Sequence, residues 1–139
     1  DYLLLEPGMK FGPASLKVGY ERLEGDGTSA LQTPLATLHA FNGWADKFLV
    51  TPAGGLRDLY LDLAYKVPGK GGLAGLVLRA TWHDFGSTQG AIAYGREWNA
   101  LASYPVTKEL AVTAKFARYE ADAFATDTSK LWLQLEAKF

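Results

Sequence analysis

The feature that most constrains this chain is an alternation of apolar and polar residues with period 2, repeated in segments of about ten residues. The last segment shows it most cleanly. Leu131, Leu133, Leu135, Ala137 and Phe139 fall on one face, and Trp132, Gln134, Glu136 and Lys138 on the other. Leu110, Val112, Ala114 and Phe116 alternate in the same way with Ala111, Thr113, Lys115 and Ala117. Upstream, Ala74, Leu76, Leu78, Ala80 and Trp82 oppose Gly75, Val77, Arg79, Thr81 and His83. Leu59, Leu61, Leu63 and Tyr65 oppose Tyr60, Asp62, Ala64 and Lys66, and Leu16, Val18 and Tyr20 oppose Lys17, Gly19 and Glu21. Between Ala91 and Tyr104 the pattern is broken: Trp98, Ala100, Ala102 and Tyr104 share a face opposite Glu97, Asn99 and Ser103, while Arg96 and Leu101 sit on the wrong sides. Leu3, Leu5, Met9 and Phe11 predict a first strand, in which Pro7 has no N–H to donate and implies a bulge or an edge. The expectation is an all-β chain of about seven strands with no helical core.

Composition supports strands and turns: there are 15 glycines, and 13% of residues are aromatic. Fourteen Lys and Arg against 15 Asp and Glu leave a net charge of −1, without the basic face that nucleic acid requires. The absence of cysteine excludes disulfides, thiolate metal sites and cysteine nucleophiles. Near-neutral mean hydropathy leaves a membrane barrel open, because lipid-facing and lumen-facing residues alternate along each strand and average out. The longest apolar or glycine run, Gly71 to Leu78, is far shorter than the roughly 20 residues of a spanning helix. Asp1-Tyr2-Leu3-Leu4-Leu5-Glu6 has neither a basic start nor a hydrophobic stretch of signal length, so the chain reads as starting inside a larger protein.

The connectors alternate in length. Ala121–Thr128, Asp84–Gly90 and Glu24–Leu56 read as long, whereas Pro105–Lys108, Val67–Gly72 and Gly12–Pro13 read as short. Long connectors at one end and short ones at the other predict an antiparallel up-and-down transmembrane β-barrel, with long extracellular loops and short periplasmic turns. Aromatic residues give a second indication. Phe11, Tyr65, Tyr104 and Phe139 lie on the apolar faces at the short-turn end, and Tyr20, Trp82 and Phe116 toward the long-loop end, as two girdles bracketing an aliphatic band. An alternating strand that closes on Phe139 resembles the C-terminal signal read by the outer-membrane assembly machinery. An odd strand count cannot close a bacterial single-chain barrel. Residues 1–139 are therefore expected to be the C-terminal portion of one barrel, with a long loop at 24–56, in the bacterial outer membrane.

Two segments carry a family resemblance. Leu31-Gln32-Thr33-Pro34-Leu35-Ala36-Thr37-Leu38-His39-Ala40-Phe41-Asn42-Gly43-Trp44-Ala45-Asp46-Lys47-Phe48, and Asp122-Ala123-Phe124-Ala125-Thr126-Asp127-Thr128 followed by Lys130-Leu131-Trp132, resemble the C-terminal part of the alginate-export family of outer-membrane β-barrels, which includes porin-like members. The similarity runs from about Ser15 to Phe139, and the long loop is its most specific part. It implies a barrel that lets a polysaccharide such as alginate, or another hydrophilic solute, cross the outer membrane by passive diffusion. The family's alginate exporters have an arginine-rich lumen, and this chain departs from that.

The faces opposite the apolar band would line the lumen, and they carry charge of both signs. Lys17, Lys66, Arg79, Lys115 and Lys138 are joined by Glu21, Asp62, Glu97 and Glu136, with His83, Asn99 and Tyr119 as further lining groups. Such rows create a transverse field on a polar solute, or pair with one another across strands. In the long loop, Leu35, Leu38, Phe41, Ala45 and Phe48 recur at helical spacing and predict a short amphipathic segment. It would fold into the barrel mouth, with His39, Trp44, Asp46 and Lys47 at the constriction, or form a lid that touches no solute. Signals for catalysis are poor. His39 and His83 are the only histidines and lack metal-ligand spacing, and Asp84-Phe85-Gly86 has no companion kinase motifs. Ser87 near His83 has no third partner, and Asp122 with Asp127 makes a weak Ca²⁺ pattern. No cofactor, metal or enzymatic activity is expected. Two alternatives stand beside the pore: a soluble up-and-down barrel with Leu110, Val112, Leu133 and Leu135 turned inward on an apolar ligand, or an outer-membrane barrel with a purely structural role.

Overall fold

The computed structural model describes residues 1–33 and 41–138, so His39, Phe139 and the predicted Leu35 and Leu38 positions lie outside the described residues. Eight strands form one antiparallel sheet: β1 (Tyr2–Leu5), β2 (Gly8–Phe11), β3 (Ala14–Leu23), β4 (Leu56–Lys66), β5 (Val77–Gly86), β6 (Ala93–Pro105), β7 (Leu110–Ala121) and β8 (Thr128–Ala137). Their order is β1-β3-β4-β5-β6-β7-β8, with β2 continuing β1 alongside β3. Seven strand positions and an all-β architecture match the periodicity. The sheet is open, with β1/β2 at one edge and β8 at the other.

Pro7 produces no bulge. Leu5 pairs with Tyr20 and Gly8 with Lys17, so one register runs unbroken through Glu6 and Pro7. Pro7 occupies the edge, where its missing N–H interrupts no inner ladder, and its carbonyl accepts the Val18 N–H at 3.0 Å. The bulge falls instead in β6. Phe85 faces Gly95 but Gly86 faces Ala93, which leaves Tyr94 as the extra residue. Gly95 lies at φ 148°, and a Cβ there would overlap the Glu120 carbonyl. The irregular Arg96 and Leu101 also find their reasons. Arg96 pairs with Asp84 at 3.5 Å, and Leu101 packs against the buried cluster.

The expected segregation of connector lengths needs correction. Residues 67–76 outlast both 87–92 and 122–127, because Gly71, Gly72 and Gly75 let the chain fold into successive turns. Gly75 takes φ 84°, and the N–H groups of Ala74, Gly75 and Leu76 bond the carbonyls of Gly71, Val67 and Leu73. Strand β5 therefore begins at Val77 rather than Ala74, and it continues to Gly86 through the predicted loop. Residues 24–55 remain by far the longest connector.

The two faces of the sheet differ sharply. On one, which the long connector covers, Asp58, Glu97 and Asn99 are 1%, 0% and 1% exposed. On the other, which none of the described residues covers, Leu131, Leu133 and Leu135 are 68%, 78% and 68% exposed. Strand polarity is thus inside-out relative to a soluble sheet, whose apolar face is buried. Within the covered face, the Tyr60 ring lies over Gly19, its partner on β3, and its hydroxyl donates to Glu6 on the edge. Replacing Gly19 with valine is expected to displace that ring and lower stability by about 1–3 kcal/mol, measured as a fall in the denaturant midpoint. An unchanged midpoint would show that the close approach is not needed.

Candidate functional site

The covered face is built from transverse rows set by the register. One row runs Lys17, Asp62, Thr81, Asn99, Ala117 and Lys130; the next, toward the long connector, runs Gly19, Tyr60, His83, Glu97, Tyr119 and Thr128. All of Lys17, Glu21, Asp62, Lys66, Arg79, His83, Glu97, Asn99, Lys115, Tyr119 and Glu136 point to this side. The buried carboxylates Glu21, Asp58, Asp62 and Glu97 stand on β3–β6, beside Lys17, Lys66 and Arg79 on the same strands, and Lys115 and Lys130 stand on β7 and β8 with Glu136.

Each buried carboxylate draws donors, because a desolvated charge without partners is costly. Asp62 takes the Arg79 guanidinium and the Thr81 hydroxyl, the latter at 2.7 Å. Both oxygens of Asp58 lie 3.0 Å from His83 Nδ1. Glu21 accepts the Tyr2 hydroxyl at 2.9 Å and the Asn42 amide at 2.7 Å. Glu97 Oε1 accepts the Ala45 N–H at 2.9 Å. Glu97 Oε2 and both polar side-chain atoms of Asn99 have no hydrogen-bond partner among the described residues.

Asn42 and Ala45 belong to the long connector, and that connector is the other half of the site. Residues 41–48 lie across the sheet and match its charge layout. The Asn42 amide and the Ala45 N–H meet the acidic side. Asp46 meets Lys130 at 2.7 Å on the basic side, and the Lys115 ammonium sits 4.3 Å from the centre of the Trp44 ring. The expected amphipathic helix is absent from 41–48, which forms bends and turns. Positive φ at Asn42 (54°), Gly43 (85°) and Asp46 (59°) rules out helical continuation. Gly43 is required at its position, since a Cβ there would meet the Glu97 carboxylate.

The far end of the segment is anchored by aromatic packing. Phe48 lies 4.5 Å from Phe85, 5.2 Å from Phe124 and 6.0 Å from Tyr94 between ring centres. Tyr94 reaches this cluster through the β6 bulge and donates to the Gly55 carbonyl at 3.0 Å. The Tyr119 hydroxyl donates to the Tyr94 and Phe124 carbonyls. Of the predicted constriction residues, Trp44 and Asp46 touch the strand wall, and Lys47 lies 5.6 Å from the Tyr119 ring centre. Beside the segment, Glu21, Phe41, Trp44, Tyr60, Arg79 and His83 help enclose a cavity of about 100 Å³.

Asp58, Tyr94, Asn42 and Lys130 were not among the predicted site residues. Asp58 and Lys130 continue the alternation of β4 and β8 by one more pair, so a longer strand boundary finds them. Tyr94 is signalled only by the glycine after it, and Asn42 by nothing local. The predicted girdle residues Phe11, Tyr20, Tyr65, Trp82, Tyr104 and Phe116 all lie on the uncovered face. Trp98 joins them, 6.4 Å from Trp82 between ring centres.

Comparison with protein-family models, with curated proteins and with solved structures finds no match for this chain.

The Phe48 ring and the Asp46–Lys130 pair differ in what they contribute to docking. Phe48→Ala is expected to cost about 3–5 kcal/mol, whereas a double-mutant cycle on the partly exposed Asp46–Lys130 pair should give about 1 kcal/mol or less. Proteolytic nicking within 41–48 reads both. Nicking that rises with Lys130→Ala but not with Phe48→Ala would reverse the assignment.

Proposed function

We propose that this sheet is wall of a porin-like β-barrel in the bacterial outer membrane, through which a hydrophilic solute diffuses passively, and that residues 41–48 narrow the passage. The observation that carries the reading is the inside-out polarity. Leu131, Leu133 and Leu135 stand bare while Asp58, Glu97 and Asn99 are buried, as expected where one face meets lipid and the other a polar lumen. Placement of Tyr20, Trp82, Trp98 and Phe116 toward one end of the bare face, and Phe11, Tyr65 and Tyr104 toward the other, adds support as interfacial belts. A soluble barrel with an apolar interior would need Leu133 and Val112 turned toward its contents. Both lie on the uncovered face, 78% and 40% exposed.

A bilayer provides no hydrogen bonds for the free edges of β1/β2 and β8. The reading therefore includes strands beyond these seven positions, from the same chain or a second copy. On the lumen side, charges of both signs stand along β3–β8, which suits polar, uncharged or zwitterionic solutes rather than a strong polyanion preference. An alginate-like polysaccharide remains within the proposal through the family resemblance.

The test is fractionation followed by conductance. The protein should sit in the outer-membrane fraction as a detergent-dependent band whose gel mobility changes on heating. In planar bilayers, deleting Asn42–Lys47 should raise single-channel conductance by roughly twofold or more, and Lys115→Glu with Lys130→Glu should shift selectivity toward cations. A periplasmic product that needs no detergent would overturn the membrane reading. Conductance unchanged by the deletion would overturn the constriction.

A further inference from the structure

The charges on the uncovered face are confined to one end. Toward the long connector, β3 carries Arg22, β4 Arg57, β5 Asp84, β6 Arg96 and β7 Arg118 with Glu120. In each of these strands the first charge stands two residues beyond Tyr20, Leu59, Trp82, Trp98 or Phe116. From these residues to the short-turn end, no strand residue on this face is charged. The register makes the arginines one belt. Arg22 is directly opposite Arg57, Arg96 opposite Asp84, and Arg118 opposite Trp98. The belt steps along the strands from β3 to β7, as a level line does on the tilted strands of a barrel wall.

The belt is under-neutralised. Asp84 serves two guanidiniums, Arg57 at 2.9 Å and Arg96 at 3.5 Å. Arg118 reaches Glu120 only at 3.7 Å, and Arg22 is paired with Glu24 just past the strand end. Four arginines thus face three carboxylates, and the Arg22–Arg57 pair is a like-charge juxtaposition that costs stability unless an anion sits between. The guanidiniums stay accessible, with side-chain exposure from 33% for Arg57 to 61% for Arg96.

We propose that this belt binds the phosphate groups of membrane-lipid headgroups in the leaflet at the long-connector end. The proposal rests on the lipid-facing reading above. A guanidinium grips phosphate through two parallel N–H donors, and the aromatic residues beneath Arg22, Arg96 and Arg118 lie where headgroup meets acyl chain. The leucines and alanines beyond them receive the chains. At the opposite end no strand residue of this face carries a charge, so the strands themselves grip phosphate at one end only.

Detergent-purified full-length protein is titrated with short-chain phosphatidic acid, the matching diacylglycerol and inorganic phosphate, and its thermal midpoint followed. Phosphatidic acid should raise the midpoint, and the other two should not. Arg96→Gln with Arg118→Gln should raise the half-saturating concentration roughly tenfold, while Asp84→Asn, which releases two guanidiniums, should lower it. Heat-modifiable mobility checks that each variant is folded, and Arg96→Lys with Arg118→Lys supplies a charge-conserving control expected to retain most of the response. An equal response to diacylglycerol, or half-saturation unmoved in the glutamine and Asp84 variants, overturns the belt. A response to inorganic phosphate as strong as to the lipid assigns the arginines to free anions and overturns the headgroup. Protein that needs no detergent overturns the lipid-facing reading itself. Detergent-dependent protein indifferent to phosphatidic acid overturns only this proposal.

Discussion

Buried carboxylates organise this molecule. Glu21, Asp58, Asp62 and Glu97 sit on one face of a sheet whose other face is leucine, alanine and aromatic side chains. Such groups are tolerated away from water only when donors reach them, and the donors come from three sources. Neighbouring strands supply Arg79, Thr81 and His83. The edge strand supplies the Tyr2 hydroxyl. The long connector supplies the Asn42 amide and the Ala45 N–H. The connector is therefore held by the requirement that makes the face polar in the first place.

That coupling explains why the segment 41–48 is irregular. A helix would bond its own backbone and present only side chains to the wall. Turns at Asn42, Gly43 and Asp46 instead leave a backbone N–H free for Glu97 and set the Asp46 carboxylate against Lys130. The aromatic cluster around Phe48 then secures the end of the segment with contacts that need no charge. Polar matching fixes where the segment lies, and apolar burial supplies most of the holding force, since partly exposed ion pairs contribute little.

The two faces also carry separate functions in the proposed barrel. One sets the dimensions and field of the passage, and the other sets the position in the bilayer. Alternation makes them independent, because adjacent residues point to opposite sides. Arg96 and Glu97 are neighbours in sequence, yet one is exposed at the rim of the bare face and the other is fully buried under the connector.

Period 2 in the sequence by itself determined the strands, their approximate number and which side chains share a face, because strand geometry projects successive residues to opposite sides regardless of context. Leu135 beside Glu136, or Leu61 beside Asp62, could be sorted without any tertiary knowledge. Only the tertiary structure decided where strands ended and what the connector did. The Tyr94 bulge depends on a hydrogen bond to distant Gly55, not on local pattern. The helical spacing of Phe41, Ala45 and Phe48 was real in the sequence but lost to partners on β3, β6 and β8. Those partners lie up to 84 residues away, as Asp46 and Lys130 do, and long-range pairing of this kind overrides local propensity.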